Sequence, residues 1–235
     1  MMNKLLLATA LAGGMPLAAM AADVNGASVG VSHYNYLGGE DGNRTSIGGQ
    51  LELGFTPQFA MQGDMMLNHF GDGADLDGYS TGLHAIWNAT PYSKFGLFAG
   101  FEDLDEGDVD LLGLEYGAQL NGVDFEAAYT RANGDSNIND SDIYNLSLKT
   151  PLTPQLDVGG RFDFADIDNG NNVRRFGVTG DYKLAGGYVL NGELGFVDPN
   201  HDDAESYIGL GIKAEFGGGD ASFSRRGLAE LIPGF

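Results

Sequence analysis

Segments of about ten residues recur twelve times along this chain, each with apolar side chains at every second position and Gly, Asp, Glu, Asn, Gln, Lys or Arg between them. In residues 45–56, Ile47, Gly49, Leu51, Leu53 and Phe55 interleave with Gly48, Gln50, Glu52 and Gly54. A strand sends successive side chains to opposite faces, so this period gives one face suited to hydrocarbon and one suited to water. Repeated along the whole chain behind an export leader, it predicts a sheet closed on itself, because lipid tolerates no unpaired strand edge. The predicted class is all-β: a transmembrane, antiparallel, up-and-down barrel of about twelve strands over residues 22–216.

The expected leader is residues 1–21. Lys4 supplies the positive start, Leu5 to Ala12 the apolar run, and Ala19-Met20-Ala21 the small-residue spacing at which a signal peptidase cleaves. Gly13, Gly14 and Pro16 interrupt a run already short of the roughly 20 residues that span a bilayer, which argues against a helical anchor. The mature chain is expected to begin near Ala22.

No other apolar stretch is long enough for a membrane helix, and a mean hydropathy of -0.14 suits a barrel whose wet half dilutes the average. The absence of cysteine rules out a disulfide framework or thiolate metal site. A net charge of -21, from 33 acids against 12 bases, leaves no basic surface for nucleic acid. Strict alternation of aromatic and aliphatic residues separates the chain from a disordered polymer despite its 38 glycines.

The connections alternate in length. Residues 57–58, 90–92, 121–122, 151–154 and 185–187 are tight, and Asn121-Gly122 carries the chemistry of a two-residue hairpin turn. Residues 38–44, 70–78, 132–140, 167–172 and 198–205 are longer and acidic. In outer-membrane barrels short turns face the periplasm and longer loops face the exterior. That placement puts Phe55, Phe59, Trp87, Phe95, Phe125, Tyr182, Tyr188 and Phe216 outward near the periplasmic turns, as an aromatic belt at the lipid headgroups.

By this leader, this strand rhythm and these aromatic chain-end residues, the chain resembles bacterial outer-membrane porin-like β-barrels, with features of the small Gly- and Asp-rich porins of alphaproteobacteria. The resemblance covers residues 22–216. It implies the outer membrane of a Gram-negative bacterium, contact with outer-membrane lipids, insertion by the barrel assembly machinery, and diffusion of small hydrophilic solutes or cations without a cofactor. General porins have longer chains and more strands, so their trimeric state and constriction loop do not carry over, and an oligomer stays open. No loop here is long enough to fold deeply into a wide pore.

Residues 217–235 depart from the alternation. Terminal Phe235 resembles the aromatic end read by the assembly machinery, but Glu230 and Pro233 do not suit a last strand. Ile208, Leu210, Ile212, Ala214 and Phe216 suit it better. The tail is expected as a periplasmic appendage after a Gly217-Gly218-Gly219 hinge, either with residues 228–232 as a helical turn against the barrel mouth or as a flexible end.

The inward positions define the expected pore lining. Its acids are Glu52, Asp64, Glu102, Glu115, Asp124, Glu126, Asp157, Asp163, Asp181, Glu193 and Glu215, and its bases are Lys94, Lys149, Arg161, Arg175, Lys183 and Lys213. Acids exceed bases, and a tube enriched in one sign concentrates counter-ions, so a passive channel with cation preference is the expected activity. The alternative is a non-conducting structural or surface-interaction barrel that works through its acidic loops. Asp103, Asp105, Glu106 and Asp108 crowd one loop, and Asp135, Asn137, Asn139 and Asp140 another. The second departs from a calcium loop, lacking Gly at its sixth position and placing Leu146 where a bidentate Glu belongs.

Catalysis is not expected. Gly78-Tyr79-Ser80-Thr81-Gly82 fits the nucleophile-elbow expression, but it opens an alternating strand with no helix after it. Ser80 and His84 share a face yet stand about 13 Å apart along the chain at roughly 3.3 Å per residue. His33, His69 and His201 show no metal-ligand spacing, and no metal site is expected.

Overall fold

Each alternating segment becomes a strand. The computed structural model describes residues 22–38, 42–71, 78–105, 107–135, 138–168, 170–200 and 203–231. The first six strands are β1 (Asp23–Tyr36), β2 (Asn43–Gly54), β3 (Phe59–Phe70), β4 (Gly78–Thr90), β5 (Ser93–Leu104) and β6 (Gly107–Leu120). The second six are β7 (Val123–Gly134), β8 (Ser141–Pro151), β9 (Leu156–Ile167), β10 (Asn171–Lys183), β11 (Tyr188–Pro199) and β12 (Glu205–Gly217). All pair antiparallel with their chain neighbours, and β1 pairs with β12 from Gly26↔Gly217 to Tyr36↔Tyr207. Closure leaves no edge unpaired, as a membrane requires.

The short turns follow their local chemistry. Asn121 and Gly122 hold φ of 52° and 82°, the left-handed pair that matches the twist of a hairpin. Three others contain Thr-Pro, where the ring fixes φ and the hydroxyl satisfies a turn amide. Thr56 Oγ1 accepts from the Phe59 amide at 3.0 Å, Thr153 Oγ1 from the Leu156 amide at 3.0 Å, and Thr90 Oγ1 from the Tyr92 amide at 3.1 Å.

Aliphatic side chains such as Val31, Ile47, Leu97, Leu112 and Val178 are exposed on the outer face, as a lipid-facing band must be. Near the short turns Trp87, Phe95, Tyr116 and Phe125 form successive ring contacts at 6.0, 5.1 and 6.3 Å. A second girdle, not among the expected belt residues, lies toward the long loops. There Tyr129, Tyr144 and Phe164 meet at 5.4 and 6.1 Å, and Phe162, Phe176 and Phe196 at 4.7 and 5.0 Å.

The expected leader, Glu106, Asn137, His201, Pro233 and Phe235 lie outside the described residues. The tail forms the expected helical turn after the glycine hinge, but it lies inside the barrel rather than as an appendage below it. Gly217 and Gly219, at φ of 69° and 117°, turn the chain back on itself, and residues 220–231 run up inside the barrel. Phe223, Ala229 and Leu231 are buried there, the last two in a short helix α1 (Leu228–Leu231). The physical reason is complementarity. The last strand releases the chain beside a wall of carboxylates and amides, and the tail brings two arginines, free backbone amides and apolar side chains to it. At Gly96 a Cβ would come within 2.7 Å of the Phe223 ring, so the bare backbone makes room for it.

Candidate functional site: the lumen

The seventeen expected lining residues all sit on the lumen side of their strands, in alternation with the exposed apolar face. Their surroundings differ. Glu52, Asp64, Glu102, Glu115, Asp163, Arg175 and Glu193 are buried. Lys94, Glu126, Lys149, Asp157, Arg161, Asp181, Lys213 and Glu215 are half-buried, and Asp124 and Lys183 are exposed near the short turns.

On the β8–β12 side the wall pairs with itself. Lys149 meets Asp181 at 2.6 Å, Lys183 meets Asp157 at 2.8 Å, Arg161 meets Asp163 at 2.9 Å, and Arg175 meets Glu193 at 2.9 Å. Lys213 meets Glu215 at 3.0 Å and also pairs with Asp220 of the tail.

On the β2–β7 side most of the partners come from the tail. Glu52 accepts the Ser222 amide at 2.8 Å, and Lys94 donates to the Ser222 hydroxyl at 2.9 Å. Gln62 binds Phe223 in both directions, accepting its amide at 3.0 Å and donating to its carbonyl at 2.8 Å, while Gln50 donates to the same carbonyl at 3.0 Å. Glu126 accepts the Ser224 amide at 3.0 Å. Arg226 pairs with Glu115 at 3.0 Å and with Glu126. Glu102 accepts the Leu228 and Ala229 amides at 2.7 and 3.3 Å, satisfying donors that a helix start leaves free.

Glu230 then crosses to the basic side. Its carbonyl accepts from Arg175, and its carboxylate lies 3.4 Å from Arg225. Burial alone would raise the Glu230 carboxyl, but Arg225, Arg44, Arg161 and Arg175 outweigh it and hold the group at about 2. Arg44 and Arg175 flank the Tyr34 ring at 5.1 and 5.6 Å, and Arg175 also lies 4.9 Å from the Tyr207 ring.

These contacts divide the lumen. Toward the short turns a cavity of about 1040 Å³ remains, bordered by both wall and tail. Its border takes in Glu52, Lys94, Asp124, Glu126, Lys149, Arg161, Asp163, Asp181, Glu193 and Lys213 of the expected lining. Farther toward the long loops a packed layer crosses the lumen, below a second cavity bordered by Tyr36, Val197 and Glu205 at the outer mouth. Phe98, Val109, Leu111, Ala132, Ile143 and Ala165 pack with Leu231 of the tail, and Arg44, Asn68, Glu102, Arg175 and Tyr207 complete the buried layer around the remaining strands.

Several contributors escape a ledger of charges. Gln50 and Gln62 are neutral, Tyr34 and Tyr207 count as apolar in the alternation, and Arg44 falls in β2 rather than in the expected loop. The signal available in the sequence was the Arg225-Arg226 pair beyond the closing strand of an otherwise acidic barrel. His84 is held at Nε2 by Asp64 at 2.6 Å and at Nδ1 by Glu115 at 2.7 Å, which engages both ring nitrogens away from Ser80. At the acidic loops, Asp140, Asp142 at the start of β8, and Asp168 gather on Arg131 at 2.8, 3.2 and 3.7 Å.

No curated protein matches the chain. Among solved structures, the barrel superposes on the KdgM porin with a TM-score of 0.60 at 10% identity, covering 80% of this chain and 99% of that one. The NanC porin gives a TM-score of 0.62 at 8% identity, over 80% and 98% of the two chains. An outer-membrane channel from Pseudomonas putida F1 gives 0.61 at 14% identity, over 81% and 96%. At such identities these likenesses speak for the fold. The sequence itself matches the family model described as Gram-negative porin over residues 36–202, and with that match spanning most of a closed, aromatic-girdled barrel, the chain belongs to the Gram-negative porin family of the outer membrane.

Proposed function

We propose that the protein is a passive diffusion channel for small hydrophilic solutes, with a preference for cations and no covalent chemistry. The observation that carries this reading is the charged cavity of about 1040 Å³ inside the barrel, since a barrel built only for rigidity has no use for a hydrated interior. Carboxylates outnumber bases on the wall even with Arg44 counted among the bases, and excess charge of one sign in a low-dielectric tube raises the local concentration of counter-ions. The two aromatic girdles suit contact with outer-membrane lipids, and Phe216 at the end of β12 offers the assembly machinery an aromatic terminus on the last strand.

Planar-bilayer recording across a salt gradient tests both parts. Conductance with a reversal potential on the cation side is expected; a reversal potential on the anion side removes the selectivity. The second reading, a non-conducting barrel, draws on the buried layer across the outer half of the lumen. Persistent electrical silence of the assembled barrel, with and without its tail, would establish that reading instead.

A further inference from the structure

Resting on the channel reading above, we propose that residues 218–231 are a tethered plug: docked, they close the pore, and the channel opens when they withdraw through the periplasmic mouth. Four observations carry this. Among the described residues the segment joins the barrel wall through the glycines at 217–219, on the periplasmic side, and enters no strand of the barrel, so it can leave without unpairing the twelve-strand ladder. The ladder closes through β1 and β12, and the tail adds to it backbone bonds of Gly218 and Gly219 to Asn25 and Ala27 at the hinge, so the wall stands independently of what fills it.

The tail also supplies the missing part of the barrier. Phe98, Leu111 and Ile143 project from one side of the lumen only, and Leu231 completes their cluster. A narrow apolar layer of this kind stops ions by excluding water. Finally, the docking is specific yet largely polar. Arg226 sits on Glu115 and Glu126, whereas the Glu230 carboxylate at the other end of the segment lies among arginines, so charge fixes the position at two points. Most of the remaining contacts join backbone amides to wall carboxylates and glutamines, groups that water satisfies in an empty lumen.

The test compares the full chain with a chain ending at Gly217 in planar bilayers, with barrel assembly of each verified by circular dichroism. The shortened chain is expected to conduct steadily, at least tenfold above the time-averaged conductance of the full chain. Equal conductance from both overturns the plug and leaves the channel reading intact. Silence from both overturns the channel reading, and the plug with it. Should the shortened chain fail to assemble, Ala229→Cys in the full chain decides, because the chain has no native cysteine. Ala229 is 4% exposed, so a maleimide carried on a polymer too bulky for the docked site should react only on withdrawal and should then hold the channel open. A cysteine that stays unreactive in the assembled barrel, yet reacts after denaturation, marks a fixed filling and overturns the proposal.

Discussion

The periplasmic half of the lumen is wet, with Lys94, Glu126, Lys149 and Asp181 around an open cavity, whereas the outer half is dry, with Phe98, Leu111, Ile143 and Leu231 in contact. Both halves are built from the same strands with the same alternation. What differs is the side chain offered at inward positions and the part of the tail that meets it. Residues 220–226 bring mostly polar groups to a mostly polar wall beside the cavity, with Phe223 seated on Ala60 and Ile86, while Leu228 and Leu231 pack into the apolar cluster of Phe98, Leu111 and Ile143. Mean pore charge therefore describes only the wet half. On the plug proposal, permeation is decided at the packed layer, which is complete when the tail is docked.

Arg226→Ala should disturb this contrast most. The substitution leaves Glu115 and Glu126 without their arginine, and breaking a buried pair by removing one partner costs about 3–5 kcal/mol. His84 retains its contact with Glu115, which places the effect toward the lower end of that range. Tail residues should become susceptible to limited proteolysis on the order of 100-fold faster, while the barrel keeps its melting temperature because no ladder bond is touched. Unchanged proteolysis would mean that the ion pairs do not hold the tail.

Most of the barrel was legible in the sequence for a simple reason. A closed sheet in lipid must keep a two-residue period on every strand, so Ile47, Leu51, Leu97 and Leu112 declare their face individually. The positions of Glu52, Glu102, Glu115 and Arg175 followed from the same period. Their partners did not follow, because a partner from residues 220–231 obeys no strand rule and lies more than a hundred positions away from Glu102 or Glu115. The acidic excess on β2–β7 read as an ion-attracting wall when much of it is a receptor for Arg226 and for the Ser222, Ser224 and Leu228 amides. The inward apolar residues Val109, Leu111 and Ile143 were equally readable, but only a known filling gives them a role.

A smaller effect is expected from pH. The docked Glu230 carboxyl titrates at about 2 against an ordinary 4.5, because Arg225 from the tail, Arg44 from β2, Arg161 from β9 and Arg175 from β10 outweigh its burial, with the Tyr34 hydroxyl of β1 also nearby. A group depressed in the docked state stabilises docking fully above its free value and loses that contribution as pH falls toward its docked value. Time-averaged conductance should therefore rise as pH is lowered from about 5 to 3. The wall is common to both proteins, so the measurement is the difference from Glu230→Gln, whose profile should be flatter. Identical profiles for the two proteins would remove Glu230 from the docking balance.

The smallest effect belongs to the rim, and it decides whether the tail is held by contacts or by the general field of the wall. Lys183 pairs with Asp157 at 2.8 Å, but its side chain is 48% exposed and no tail residue is bonded to it among the described residues. An exposed pair of this kind is worth about 0–1 kcal/mol, and at physiological salt its field is screened over about 8 Å. Lys183→Gln changes the wall charge by the same single unit as Arg226→Ala changes the tail. If docking depends on contact geometry, it should leave tail proteolysis and barrel melting almost unchanged. A loss of tail protection comparable to that of Arg226→Ala would show instead that summed lumen charge, rather than the local seat on Glu115 and Glu126, holds the plug in place.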